Sequence, residues 1–190
     1  MFLRNLLAAA MLLGLATAAR AEVGKPQEVD CGQLKFSFAL LAQADEAYCY
    51  RVRESEASSS DSVGDISAVY EFLYMYAGPQ VAYILAGRAG DDVYFTSEPL
   101  RSEIRNFDEL EDVKNWSGEE DFEDYEIGSF DAVYDGEPVQ CYAFREMSGA
   151  RISNRGSHMG PTAFIFGYHC WFGADEPGRA AIERTLTAIE

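Results

Sequence analysis

Apolar and polar positions alternate with a period of two along much of this chain, the spacing of strands that turn one face inward. The densest apolar run is 160–172, where Thr162, Phe164, Ile165, Phe166, Tyr168, Trp171 and Phe172 favour extended backbone. Gly160 and Pro161 punctuate its start, and Gly173 with Pro177 its end. Residues 137–147 read as a second strand one loop upstream. If 148–159 closes a hairpin centred between Arg155 and Gly156, Cys141 and Cys170 fall opposite one another, each 14.5 positions from the centre.

Earlier in the chain, 66–97 reads as a three-stranded meander. Tyr70, Phe72, Tyr74 and Tyr76 share one face and Glu71, Leu73 and Met75 the other, with Gly78-Pro79 and Gly90-Asp91-Asp92 as turns and 93–97 as the third strand. An aromatic stripe of this kind could serve as a ligand platform, but more often it is the face on which a sheet meets its helices, because aromatic side chains carry the largest burial energies. Residues 47–53 and 129–134 are further strands, and Asp135-Gly136 a turn. Two periods compete over 34–40. Phe36, Phe38 and Leu40 alternate like a strand, Leu34, Phe38 and Leu41 recur like a helix, and both readings stay open. The serine-rich stretch 54–64 reads as a surface loop.

Helical periods occupy less of the chain. Leu100, Ile104 and Phe107 recur at i, i+4 and i+7 after Pro99, with Ser97 as a cap, and Asp108 followed by Glu111 resembles a capping box opening a second helix toward Trp116. Asp175 caps a terminal helix whose Ile182, Leu186 and Ile189 form an apolar stripe. The prediction is one α+β domain over 22–190, an antiparallel sheet of about six to eight strands with helices packed on one face.

The N-terminus changes the setting. Arg4 precedes an apolar run over 6–19, and Ala19-Arg20-Ala21 supplies a small-x-small cleavage signal, so 1–21 reads as a secretory signal peptide too short to span a bilayer. The expected location is periplasmic or secreted, without stable membrane insertion. Removing 1–21 takes away Arg4 and Arg20 and no acids, so the formal charge moves from -17 to -19. A field of that sign disfavours nucleic acid and favours a cationic partner or plain solubility. In an oxidising compartment the four cysteines are read as two disulfides, Cys31–Cys49 and Cys141–Cys170. The second pair rests on the hairpin and the first on elimination; the 18-, 92- and 29-residue separations contain no closely spaced zinc pair.

Catalytic chemistry finds little purchase. His158 and His169 are the two histidines; His169 points away from the face of its neighbour Cys170, and no G-x-S-x-G elbow is present. Residues 98–137 hold 15 acids against Arg101, Arg105 and Lys114. The run 119–124 reads as a solvated charge cluster, with a calcium ion as its functional alternative. A carboxylate pair across a cleft is what a secreted hydrolase would need. No catalytic residue and no cofactor is assigned, and metal ligation by the acidic region is left open.

Cys141-Tyr-Ala-Phe144, Gly167-Tyr-His-Cys170 and the Gly173–Pro177 turn before the final helix together resemble the C-terminal part of small exported bacterial proteins of unknown function. The resemblance covers the last quarter of the chain and implies a packed cystine hairpin plus helix. The order of sheet and terminal helix is also similar to the photosystem oxygen-evolving P subunit and Mog1-like fold. Export, the cystines, the acidic surface and the absence of an assembled catalytic set together make the expected function a non-enzymatic exported binding or interaction module for a protein or small-molecule partner, with a secreted hydrolase using a carboxylate pair as the alternative.

Overall fold

A computed structural model describes residues 24–55, 66–90, 94–149, 151–152, 158–173, 179–187 and 189. The expected leader, the loop from residue 56 onward and the Asp175 cap lie outside the described residues.

The strands are β1 (Gln27–Glu28), β2 (Glu46–Ser55), β3 (Ile66–Ala77), β4 (Gln80–Ala89), β5 (Glu111–Lys114), β6 (Glu119–Phe122), β7 (Tyr125–Tyr134), β8 (Glu137–Ser148), β9 (Arg151–Ile152), β10 (His158–Gly160) and β11 (Ala163–Phe172). They form a nine-stranded antiparallel sheet in the order β1-β2-β3-β4-β11-β8-β7-β5, with β6 also paired to β7, and a separate β9–β10 ribbon. Two meanders, β1–β4 and β5–β8, are thus joined through the last strand. Each turn residue suits its hairpin: Gly78 at φ +56° opens the β3–β4 turn, and Asp135 and Gly136, both at positive φ, form the two-residue β7–β8 connection.

The α+β expectation is overturned. Among the described residues, strand accounts for 56% and helix for 14%, and the two α-helices found there are short, α1 (Leu100–Ile104) and α2 (Arg179–Leu186). Nor do they share a face. One side of the sheet packs Leu73, Met75, Ile84 and Phe144 against Phe36, Phe38 and Ile182 and Leu186 of α2; the other packs Phe130, Val139, Phe166 and Tyr168 against Leu100 and Ile104 of α1. A helix layer of the kind the P-subunit and Mog1-like analogy requires is not what covers this sheet. Irregular chain does most of that work.

Three local expectations fail for identifiable reasons. Residues 94–97 add no strand beside β4, because β11 pairs with β4 along its length; Phe95 instead crosses the face and packs edge-on to Phe164 at 4.8 Å. The capping box at Asp108 opens no helix, since Asp112 and Asn115 take φ near +51° and +52°, outside the helical region, and 111–114 pairs with β7. Residues 34–40 are neither strand nor α-helix. Phe36, on a bend, and Phe38, on extended chain, both turn inward, Phe38 makes a single bridge to Ile189, and a 3₁₀ turn at Ala39–Gln43 follows.

The sheet is strongly curved. β3 and β7 are four strand spacings apart, about 19 Å in a flat sheet, yet the Tyr76 and Tyr134 hydroxyls lie 2.6 Å from one another. The α1 face is therefore the concave one. Its floor carries the Cys141–Cys170 disulfide, directly across the β8–β11 register.

Candidate functional site

The convex face carries a depression over β2, β3 and β4 that follows from strand register. Arg51 lies opposite Glu71, which lies opposite Ala86; one step along, Arg53 lies opposite Val69, which lies opposite Arg88. Positions two apart on a strand share a face, so these six side chains form a grid of two rows and three columns on one surface. Lys35 closes it from the N-terminal segment. The cavity is about 340 Å³ and is lined by Lys35, Arg51, Arg53, Val69, Glu71, Ala86 and Arg88.

The charge of this grid runs against that of the molecule. Thirteen Lys and Arg residues lie outside 1–21, and four of them meet here around one acid. Glu71 is buried, with 3% of its surface exposed, and its charge is compensated on every side. Its Oε1 accepts from Arg51 Nε at 2.8 Å and stands 2.7 Å from Nη2. Its Oε2 accepts from the Lys35 backbone N–H at 2.7 Å, and Arg88 Nη2 stands 3.9 Å away. Arg51 donates in addition to the Gln33 carbonyl at 2.6 Å. The Arg51–Glu71 pair is thus a fixed base. Lys35 meets Glu71 through its amide alone, and Lys35, Arg53 and Arg88 supply positive charge at the exposed rim.

The first disulfide sets this geometry. Cys31–Cys49, with Cα atoms 5.2 Å apart, ties the N-terminal segment to β2 four residues before Lys35 and two before Arg51. Asp30 caps the short 3₁₀ turn Cys31–Gln33 by accepting from Gly32 N–H at 2.8 Å, which directs the chain over Glu71.

The residues singled out from sequence have other roles. All four cysteines are bonded in the pairs Cys31–Cys49 and Cys141–Cys170. His169 is 1% exposed, stacks on Trp171 at a centroid distance of 3.9 Å and faces Tyr142 through Nδ1 (3.3 Å) and Gln80 through Nε2 (3.0 Å). Burial pushes its pKa down to about 3, so the ring is neutral and packed. His158 falls on β10, in the ribbon apart from the main sheet.

Among the carboxylates, Glu103 and Glu126 do converge, but on Arg145. Its Nη1 donates to Glu103 at 3.0 Å and to the Glu98 carbonyl at 2.5 Å, and its Nη2 pairs with Glu126. A hydrolase's two carboxylates face one another across an open cleft, whereas these two are both engaged by the same guanidinium. Among the described residues, no group of three or more His, Cys, Asp or Glu side chains is placed to hold a metal ion. Glu109 instead accepts from the Tyr74 and Tyr168 hydroxyls, at 2.9 and 3.0 Å. Burial raises the pKa of both phenols, to about 12 for Tyr74, so they stay protonated and donate.

Sequence reading missed the basic grid. Its members are spread from 35 to 88, and the net charge pointed to a cationic partner. The signal was present in the parity of the positions, since Arg51 and Arg53, Val69 and Glu71, and Ala86 and Arg88 are i, i+2 pairs; the pairing that gathers them was not. No helix among the described residues is long and apolar enough to cross a membrane, and two cystines fit an oxidising compartment outside the cytoplasm. No family model, curated protein or solved structure matches this chain.

Proposed function

We propose that this chain is a non-enzymatic binding protein of the bacterial periplasm or secreted space that captures a small anion at the grid around Glu71. The observation that carries the reading is the gathering of four cations about one buried, fully paired carboxylate in a chain of net charge -17. The Arg51–Glu71 pair holds the floor rigid, and the remaining cations point toward solvent with donors to offer. Arginine's planar fork suits carboxylate and phosphate oxygens. Export supports the same reading: the 1–21 pattern supplies a leader, and Cys31–Cys49 holds Lys35 over the cavity. A cationic partner, expected from net charge, would meet the acidic 98–137 region at the other side of the sheet.

The test is side-chain NMR of the oxidised chain from residue 22, titrated separately with inorganic phosphate and acetate. Saturable shifts confined to Lys35, Arg51, Arg53 and Arg88, lost in Arg53→Glu/Arg88→Glu, are the expected result. Absence of saturable shifts at these residues up to tens of millimolar would remove the proposal.

A further inference from the structure

Resting on that anion-site reading, we infer that the ligand is amphipathic, a small organic carboxylate whose charged head is held by Arg53 and Arg88 and whose apolar body lies on Val69 and Ala86. Arg53 and Arg88 flank Val69 in one register row. Their Cα atoms are two strand spacings apart, about 10 Å, a gap that two arginine side chains close over a head group between them. Arg51 does not compete for that head, because its guanidinium is committed to Glu71 and the Gln33 carbonyl.

The floor argues for a carbon body. Val69 and Ala86 are diagonal neighbours on β3 and β4 and both line the depression, Val69 half-buried at its centre and Ala86 buried beside Glu71. The aliphatic stems of Lys35, Arg53 and Arg88 wall it, as long cationic side chains do when they keep their heads in water. A cavity of about 340 Å³ lies at the small end of ligand sites. An inorganic ion would meet the cations and leave Val69 and Ala86 unused.

The experiment is calorimetric titration of the oxidised chain from residue 22 with acetate, butyrate, hexanoate and inorganic phosphate at fixed ionic strength. Affinity should rise along the carboxylate series by up to roughly fourfold per buried methylene, so that hexanoate binds at least about tenfold more tightly than acetate. Arg53→Gln and Arg88→Gln, both at exposed positions, should each weaken hexanoate about tenfold, and Arg53→Gln, which removes no pair with Glu71, should do so with unchanged melting temperature. Val69→Asn should cut hexanoate affinity and leave acetate untouched, a separation that a purely electrostatic site would not produce. If acetate, hexanoate and phosphate bind alike, the anion site stands and the amphipathic ligand is overturned; if none binds, both readings fall.

Discussion

His169 sits where most histidines with a chemical role do not, fully enclosed between Trp171, Tyr142 and Gln80. The consequence is a pH dependence of stability with a definite sign. Its folded pKa of about 3 lies below the unfolded value of 6.5, so the unfolded chain binds the extra proton between those limits. Stability is complete above about pH 6.5 and falls as pH drops toward 3, at about 1.4 kcal/mol per pH unit for this group. Urea unfolding should therefore show roughly 2 kcal/mol less stability at pH 5 than at pH 7 from this residue. His169→Phe should be less stable at pH 7, having lost both polar contacts, but should lose that slope. An unchanged slope would place the acid sensitivity elsewhere. The sequence already showed His169 turned away from Cys170, since neighbours on a strand point oppositely. Its enclosure depended on Gln80 and Tyr142 brought in from other strands, beside Trp171 two positions along its own.

At the scale of elements, the last strand is the seam of the fold. β11 pairs with β4 on one side and with β8 on the other, and it alone joins the two meanders in the sheet. Cys141–Cys170 lies across that seam with its Cα atoms 4.0 Å apart, closing a loop of about 30 residues worth roughly 3–4 kcal/mol on a chain-entropy estimate. Cys141→Ser should cost about as much stability as Cys141→Ser/Cys170→Ser, because the two sulfurs act as one unit. Chemical denaturation of the three proteins checks this. A single variant that keeps wild-type stability would show that strand pairing, and not the cross-link, holds the seam. The hairpin register was legible because the apolar runs are symmetric about 155.5, and the observed partner of Cys170 is Cys141. The β4–β11 pairing was not legible, and its absence from a local reading is why 93–97 looked like the third strand of a meander. The edge at β7 has its own fitted contact. Trp116 stacks on Phe130, and its ring occupies the space where a Cβ at Gly128 would stand, 2.2 Å from the nearest ring atom.

Across the whole molecule, charge is sorted by the sheet. The β2–β4 end carries the basic grid, while β5 and β6 carry Glu111, Asp112, Glu120 and Asp121 along the opposite edge. Charged edge strands of this kind also discourage pairing with a second sheet. With a formal charge of -17, self-repulsion opposes the compact state and salt screens it. The melting temperature should rise by a few degrees between low and physiological ionic strength, on the order of 1 kcal/mol of relieved repulsion. Sodium and calcium chloride at matched ionic strength should have equal effect. A calcium-specific rise would mean that the acidic region does hold a cation.

What the sequence determined by itself was whatever depends on near neighbours: the strand periods, the turns at Gly78-Pro79 and Asp135-Gly136, the apolar stripe of Ile182 and Leu186, and the hairpin register that joins Cys141 to Cys170. Tertiary structure decided the rest. The order of strands, the sharing of cover between both faces and the curvature that brings Tyr76 to Tyr134 all follow from insertion of β11 between β4 and β8, a pairing between residues some 80 positions apart. The basic grid has the same origin. Alternation specifies which face each cation takes, but only the ladder of β2, β3 and β4, and the disulfide that draws Lys35 over it, sets four positive charges around Glu71. Periodicity is a property of backbone geometry and survives in one dimension, whereas a binding site is a set of distances between strands, and those exist only once the sheet has formed.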